Sequence, residues 1–312
     1  AAIVDKAGLR IGVIGVSTAE TLKTTISANV KALEVEPLAS TIELEAHRLR
    51  ADEHADLVVV LAHAGGSCKH FSGDVEKDVC EEGAEIFAVA GALPKGAVDA
   101  IVAGHTHQGL AETVNGIPII ESFSYGRAFG RIDFTLEKAA GEPARVLSTH
   151  LFAPQDVCAD SKAKPAACEP VAYEGAAVVR DPAVAKAIAG DVEKAAGKRA
   201  EPIGVTLEGP IKTSYERESA EGNLFTDLLR KHLPDVKVAL VNGGGLRADL
   251  PEGPLTYGAL YEAFPFDNKL AFATVSGADL ERIVRANLHG KGGVLSLSGV
   301  RVRATCDGKK LD

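Results

Sequence analysis

Apolar residues along this chain come in short runs of strand length, separated by longer segments of mixed polarity. RIGVIGV (10–16) is a near-continuous apolar run, and ADLVVVLAH (55–63) is another. Between them, EPLASTIELEAHRLRAD (36–52) repeats its apolar residues at helical spacing, which predicts an amphipathic helix. EIFAVAGAL (85–93) reads as a second helix and VDAIVAG (98–104) as a further strand. Strand–turn units follow at GIPIIESFSY (116–125) and FGRIDFTLEK (129–138). Strands alternating with helices predict a largely parallel or mixed sheet covered by helices.

The character changes over 153–178, where APQDVCADSKAKPAACEPVAYEGAAV has the Ala, Pro and small polar residues of a loop or linker. DPAVAKAIAGDVEKAAGKRA (181–200) then predicts one long helix, with Asp181 as its N-cap and Pro182 in its first turn. Beyond it the pattern predicts helices at 223–233, 256–264 and 278–288 and strands at 236–245 and 270–277, with a strand beginning in the tail GVRVRATCDGKKLD. The expectation is an α/β chain with domains at 1–152 and 181–312, joined by a linker at 153–180.

The 312 residues are enough for about two domains of ordinary size. Their 46% apolar content supports real cores, while no apolar run approaches the roughly 18 residues of a membrane span. A net charge of −9 without basic blocks argues against nucleic acid as a partner, and an anionic substrate would need a locally positive site. Methionine is absent, and AAIVDKAGLRIGVIGV has neither the basic start nor the cleavage pattern of a signal peptide. The chain is therefore expected to be processed or truncated upstream of Ala1. Among the five cysteines, Cys68 and Cys80 flank one polar loop, and Cys158 and Cys168 flank another. Such pairs point to two local disulfides and an oxidising compartment, with Cys306 left over.

Two of the apolar strands end in histidine: VVVLAH in His63, and IVAGHTH in His105 and His107. Sites in open α/β sheets lie where loops leave the carboxyl ends of strands, and the glycines of HAGG and GHTH leave room for an ion beside the backbone. A single strand-end histidine reads as structural. Three from two strands point to a metal centre, and imidazole suits Zn²⁺, Mn²⁺ or iron. A two-metal centre that hydrolyses phosphate esters also needs carboxylates. Asp52-Glu53-His54 closes a helix and reads as a solvated face, and His47, His70, His150, His232 and His289 show no partner pattern. In the second domain NGGGLR follows a strand. Its glycines, Gly244 among them, let backbone N–H groups approach a ligand, and Arg247 suits bidentate contact with phosphate or carboxylate.

LAHAGG, VDAIVAGHTH and VNGIPIIESFSYGRAFGRIDF, in that order, resemble the later part of a calcineurin-like metallophosphatase domain. ESAEGNLFTD, NGGGLRADLPEGPLT and FPFDN resemble the C-terminal domain of the 5′-nucleotidase family. The resemblance spans essentially the whole chain. It implies a partial metallophosphatase sandwich, its sheets covered by helices, joined by the 181–200 helix to a smaller α/β substrate-binding domain that swings on it. It also implies hydrolysis of nucleotide phosphate esters with two divalent metal ions, Zn²⁺, Mn²⁺ or similar. The partner would be a nucleotide, and the location periplasmic, secreted or at the cell surface.

Carried onto this sequence, His63 and His105 would bind one ion and His107 the other. Asn242 and Arg247 would hold the nucleotide, and Phe266 would stack on its base with Asn268 nearby; taken alone, Phe266 reads as core. The resemblance places the remaining ligands, in D-x-H, G-D and G-N-H-[DE] motifs, upstream of Arg10, together with the histidine that steadies the transition state. No catalytic residue of the family is expected within these 312 residues, so the chain by itself is expected to hydrolyse little. Tyr215 stands where relatives often carry arginine: either Arg217, two residues on, takes its place, or phosphate is held less tightly. A thiosulfohydrolase on the same two domains, and a nucleotide-binding protein whose metal centre has decayed, are the alternatives.

Overall fold

The computed structural model describes residues 1–25, 27–69, 80–81, 83–160, 168–266, 268–290, 293–307 and 310–311. The chain divides into two compact units, Ala1–Val179 and Arg180–Asp312.

The first unit opens with a hairpin of β1 (Ala2–Lys6) and β2 (Leu9–Ser17). Two single-turn helices, α1 (Thr21–Thr24) and α2 (Ser27–Val30), lead to α3 (Leu38–Ala51). Then come β3 (Leu57–His63), α4 (Glu85–Ala92) and β4 (Ala100–Val102). Two further hairpins follow, β5 (Gly109–Val114) with β6 (Ile117–Ser122) and β7 (Ala128–Glu137) with β8 (Arg145–Asp156). The main sheet runs β1-β2-β3-β4-β6-β5, parallel through its centre and antiparallel at both edges. This is the mixed α/β architecture that the hydrophobic pattern predicts.

α3 buries Ile42, Ala46 and Leu49, spaced to fall on one face, and turns its charged residues outward. They meet Ile86, Val89 and Ala90 of α4 and the strand residues Val58, Val60, Ile101 and Ile119 in one core. Buried Asp56 accepts from the Arg10 and Ala144 amides at 2.7 Å and from Lys138 Nζ at 2.6 Å, which fastens the entry to β3 to β2 and to the β7–β8 hairpin. Cys68 pairs with Cys80 and Cys158 with Cys168. Most of each intervening loop, 70–79 with His70 and 161–167, lies outside the described residues.

The second unit begins with α5 (Pro182–Ala200), whose N-cap Asp181 accepts from the Ala183 and Val184 amides. It also contains β9 (Pro202–Leu207), α6 (Ala220–His232), β10 (Ala239–Val241), β11 (Gly253–Thr256) and α7 (Tyr257–Ala263). α8 (Gly277–His289), β12 (Ser296–Ser298), β13 (Cys306–Asp307) and β14 (Lys310–Leu311) complete it. Its sheets are antiparallel pairs, β9 with β11, β10 with β12 and β13 with β14. No described helix is long and apolar enough to cross a membrane.

Several expectations are corrected. α6 starts three residues before Asn223, because the Ser219 hydroxyl accepts from the Gly222 amide and caps it there. The strand expected over 236–245 shortens to β10, since a 3₁₀ turn forms over Gly243–Gly245. The strand expected over 98–104 keeps three residues, in β4. Residues 270–277 form no strand. An apolar extended segment becomes one only beside a hydrogen-bonding partner, and among the described residues none pairs with it, leaving Leu270, Phe272 and Val275 exposed. β8, by contrast, runs on to Asp156 through residues of linker composition, because Gln155 and Asp156 find register partners in Phe129 and Ala128.

Candidate functional site

β3 and β4 pair in parallel, so their carboxyl ends open on the same rim of the sheet. His63 is the last residue of β3, while His105 and His107 sit in the connection from β4 to β5. His105 Nδ1 lies 3.2 Å from His63 Nε2, with the two rings edge-on. The other nitrogen of His105 faces Glu20 Oε2 at 3.6 Å. Glu20 belongs to the loop leaving β2, the neighbouring strand of the same rim. His107 turns to the ring of exposed Tyr125, 5.4 Å away between centroids.

The turn bearing these histidines is strained. His105 and His107 take φ of +86° and +58°, a region that costs a residue with a side chain of order 1–3 kcal/mol. Thr106, between them, holds the turn down. Its hydroxyl lies 2.8 Å from Glu121 Oε1 and 2.7 Å from the Gly66 carbonyl. Glu121, on β6, is 1% exposed, and its other oxygen accepts from the Gly66 amide at 3.3 Å. The backbone passes so close at Gly65 that a Cβ there would sit 2.2 Å from Glu121 Oε2 and 2.3 Å from the Gly104 carbonyl. The HAGG and GHTH loops are thus pinned to one carboxylate. Sequence reasoning missed Glu121 and Thr106; the available signal was a glutamate closing an otherwise apolar run, IPIIE.

In the second unit Asn242, Arg247, Asn268 and Arg217 are exposed, and Gly244 is half-buried. The Arg247 amide donates to the Ala263 carbonyl at 2.8 Å, which sets the NGGGLR loop beside the end of α7, three residues before Phe266. Phe266 is 44% exposed, so the core reading of this residue is corrected. Tyr215 lies across the same loop. A Cβ on Gly244 would be 3.7 Å from its ring and one on Gly293 only 2.6 Å, and its carbonyl accepts from the Val294 amide at 2.8 Å. The fold therefore gathers Asn242, Gly244, Arg247 and Tyr215 at one loop, with Arg217 two residues further along the surface.

Nearby in sequence, Glu221 in the first turn of α6 is 3% exposed, and its Oε2 has no hydrogen-bond partner. Burial pushes its carboxyl up to about 7, against the pull of the Thr213 hydroxyl and with help from the charge of Asp249.

Residues 196–310 match the model of the family described as 5′-nucleotidase, C-terminal domain. Over 92% of its length the chain is 26% identical to endonuclease YhcR of Bacillus subtilis, of which it covers 21%. Over 96% of its length it is 26% identical to cell wall protein Lmo0130 of Listeria monocytogenes, of which it covers 38%. The chain thus spans well under half of either relative. Its fold is similar to that of a 5′-nucleotidase precursor from Thermus thermophilus, with a TM-score of 0.59 and 22% identity over 96% of this chain and 56% of that one. The matched segment takes in Arg217, Asn242, Gly244, Arg247, Phe266 and Asn268, and the three histidines precede it.

Two imidazole nitrogens bound to one ion at about 2.1 Å, at angles of about 90–110°, lie roughly 3.0–3.4 Å apart. The 3.2 Å between His63 and His105 therefore fits neighbouring ligands of a single divalent ion. Without an ion the same approach is a hydrogen bond that needs one nitrogen protonated and the other bare. Glu20 stands at the opposite nitrogen of the His105 ring, so it would steady that ring from behind. Among the described residues no three His, Cys, Asp or Glu side chains converge as a metal-binding group, and the fit is to two ligands of one ion.

Proposed function

We propose that this chain belongs to a nucleotide phosphohydrolase, in which residues 1–152 supply imidazole ligands for divalent ions and residues 181–312 hold the nucleotide. The observation that carries this reading is the His63–His105 pair at the rims of adjacent strands, in a chain whose residues 196–310 match the model of the 5′-nucleotidase C-terminal domain. His63 and His105 would hold one ion and His107 a second. Zn²⁺ or Mn²⁺ bound there supplies positive charge against the charge that develops on the phosphoryl oxygens. The Gly244 amide and the Arg247 guanidinium take phosphate or carboxylate oxygens, with Arg217 adding positive charge. Phe266 offers a half-exposed ring on which a base can stack, with Asn268 beside it. The two disulfides and the similarity to a cell wall protein support a location at the cell surface or in the periplasm.

The full-length protein, given Mn²⁺ or Zn²⁺, is expected to hydrolyse at least one of AMP (to adenosine and phosphate), UDP-glucose (to UMP and glucose 1-phosphate) and a 2′,3′-cyclic nucleotide (to a nucleoside monophosphate). His63→Ala or His105→Ala should lower kcat/KM on the order of 100-fold. Phe266→Ala should raise KM about tenfold with kcat nearly unchanged, as expected for the loss of one stacked base. Turnover of a sulfur conjugate in place of the nucleotides would assign the thiosulfohydrolase, and nucleotide binding without turnover would assign a binding protein. The 312-residue chain alone should hydrolyse little, because among the described residues no three His, Cys, Asp or Glu side chains converge as a metal-binding group.

A further inference from the structure

We propose that Glu121 is a positioning residue for the histidine pair, setting the distance between His63 and His105 through the two loops it binds. The proposal rests on the reading that these histidines hold a divalent ion. A glutamate with 1% exposure is costly in a strand whose preceding residues, Ile119 and Ile120, are buried and apolar. An isoleucine in its place would serve the core better. The carboxylate instead reaches two backbone segments remote in sequence. Oε2 takes the amide of Gly66, three residues beyond His63, and Oε1 takes the hydroxyl of Thr106, which adjoins His105. Thr106 Oγ1 also lies 2.7 Å from the Gly66 carbonyl, so its single proton is shared between two acceptors and the three groups close a ring of polar contacts that joins the two histidine-bearing loops.

That ring explains how His105 keeps a φ of +86°, since Thr106, the next residue, is held at its hydroxyl from two sides. Release Thr106, and the turn can relax toward negative φ, carrying His105 Nδ1 away from His63 Nε2. Glutamine can keep every contact. Its amide oxygen accepts from Gly66, and its NH₂ donates to the Thr106 oxygen, whose own proton goes to the Gly66 carbonyl. Leucine can keep none of them.

The test is Zn²⁺ binding to the 312-residue chain by calorimetry, with the imidazole ¹⁵N spectrum of the ion-free chain as a second readout and thermal unfolding as a check on folding. Thr106→Val and Glu121→Leu are expected to weaken Zn²⁺ binding about 10–100-fold, and Glu121→Gln to stay within about threefold of the unaltered chain. The ion-free ¹⁵N signature of the His63–His105 contact should change in the first two variants and persist in the third. If Glu121→Leu fails to fold, Thr106→Val decides, since it exchanges only a hydroxyl for a methyl group. Unaltered affinity and an unaltered spectrum in a folded Thr106→Val overturn the proposal. His63→Ala separates the two readings. If it leaves Zn²⁺ binding intact, the ion assignment has failed, and the ion-free spectrum of Thr106→Val alone judges Glu121.

Discussion

In the first unit the core runs unbroken from α3 and α4 through five neighbouring strands, and Leu49, Val58, Val60, Ile101 and Ile119 within it have no exposed surface. In the second, the buried cluster consists of Leu250, Leu255 and Ala263, and neither α5 nor α8 buries a side chain. The candidate sites differ in the same way. His63 ends a strand and His105 and His107 follow one in a turn, their two loops held by a buried carboxylate, and His105 and His107 have left-handed backbone conformations. In the second unit Asn242, Arg247, Phe266 and Asn268 are exposed on loops. A shared ladder with helices packed over it can hold imidazoles at a set spacing, whereas two-stranded ladders cannot impose that precision. The first unit is built for fixed distances and the second for adaptable contact.

The sharpest way to break this contrast is to open the first core. Leu49→Ala should destabilise the first unit by about 3–4 kcal/mol, because Leu49 has no exposed surface and its Cδ1 lies against Gly12, where α3 closes on β2. Native-state hydrogen exchange of the β2 and β3 amides would measure the loss, and a loss under about 1 kcal/mol would show that the sheet does not depend on α3.

A smaller effect should appear in the second unit as pH changes. The folded-state value of Glu221, about 7, lies above its ordinary 4.5, so the folded unit keeps a proton that the unfolded chain has released. Its contribution is fully present below about 4.5 and is lost as pH rises through 7. Stability of the second unit should therefore fall by up to about 3 kcal/mol between about pH 4 and pH 8. Glu221→Gln should flatten that slope while leaving hydrogen exchange in β2 and β3 unchanged. A variant whose pH slope matches that of the unaltered chain would assign the proton elsewhere.

The smallest change belongs to α5. Ile188→Ala should shift unfolding by no more than about 0.5 kcal/mol, since Ile188 is 49% exposed on a helix that buries nothing. A thermal midpoint lowered by several degrees would mean that this helix face is covered in solution.

Much of the framework was readable in advance. Apolar runs at 10–16 and 55–63 became β2 and β3, helical spacing at 36–52 became α3, and Asp181 capped α5 where its position before a proline predicts. The histidines at the ends of VVVLAH and IVAG drew attention to the rim where the structure brings His63 and His105 together. The misses have a common origin. Apolar residues 270–277 found no ladder, while mixed-polarity residues 145–156 did, because pairing belongs to two strands and never to one. Phe266 reads as core from its type alone, yet its exposure depends on what else packs around it.

Periodicity, caps and strand-end histidines operate between residues within a turn or two of one another, so the chain alone sufficed to locate α3 to α8 and the candidate rim, though not the single-turn α1 and α2. Glu121 is different: as a letter it is one polar residue at the end of an apolar strand. Its partners are Gly66 and Thr106, 55 and 15 positions away, and folding alone brings those loops onto its two oxygens. Hydrogen bonds reach about 3 Å in space whatever the separation along the chain, which is why the brace under the histidines came to light only in three dimensions.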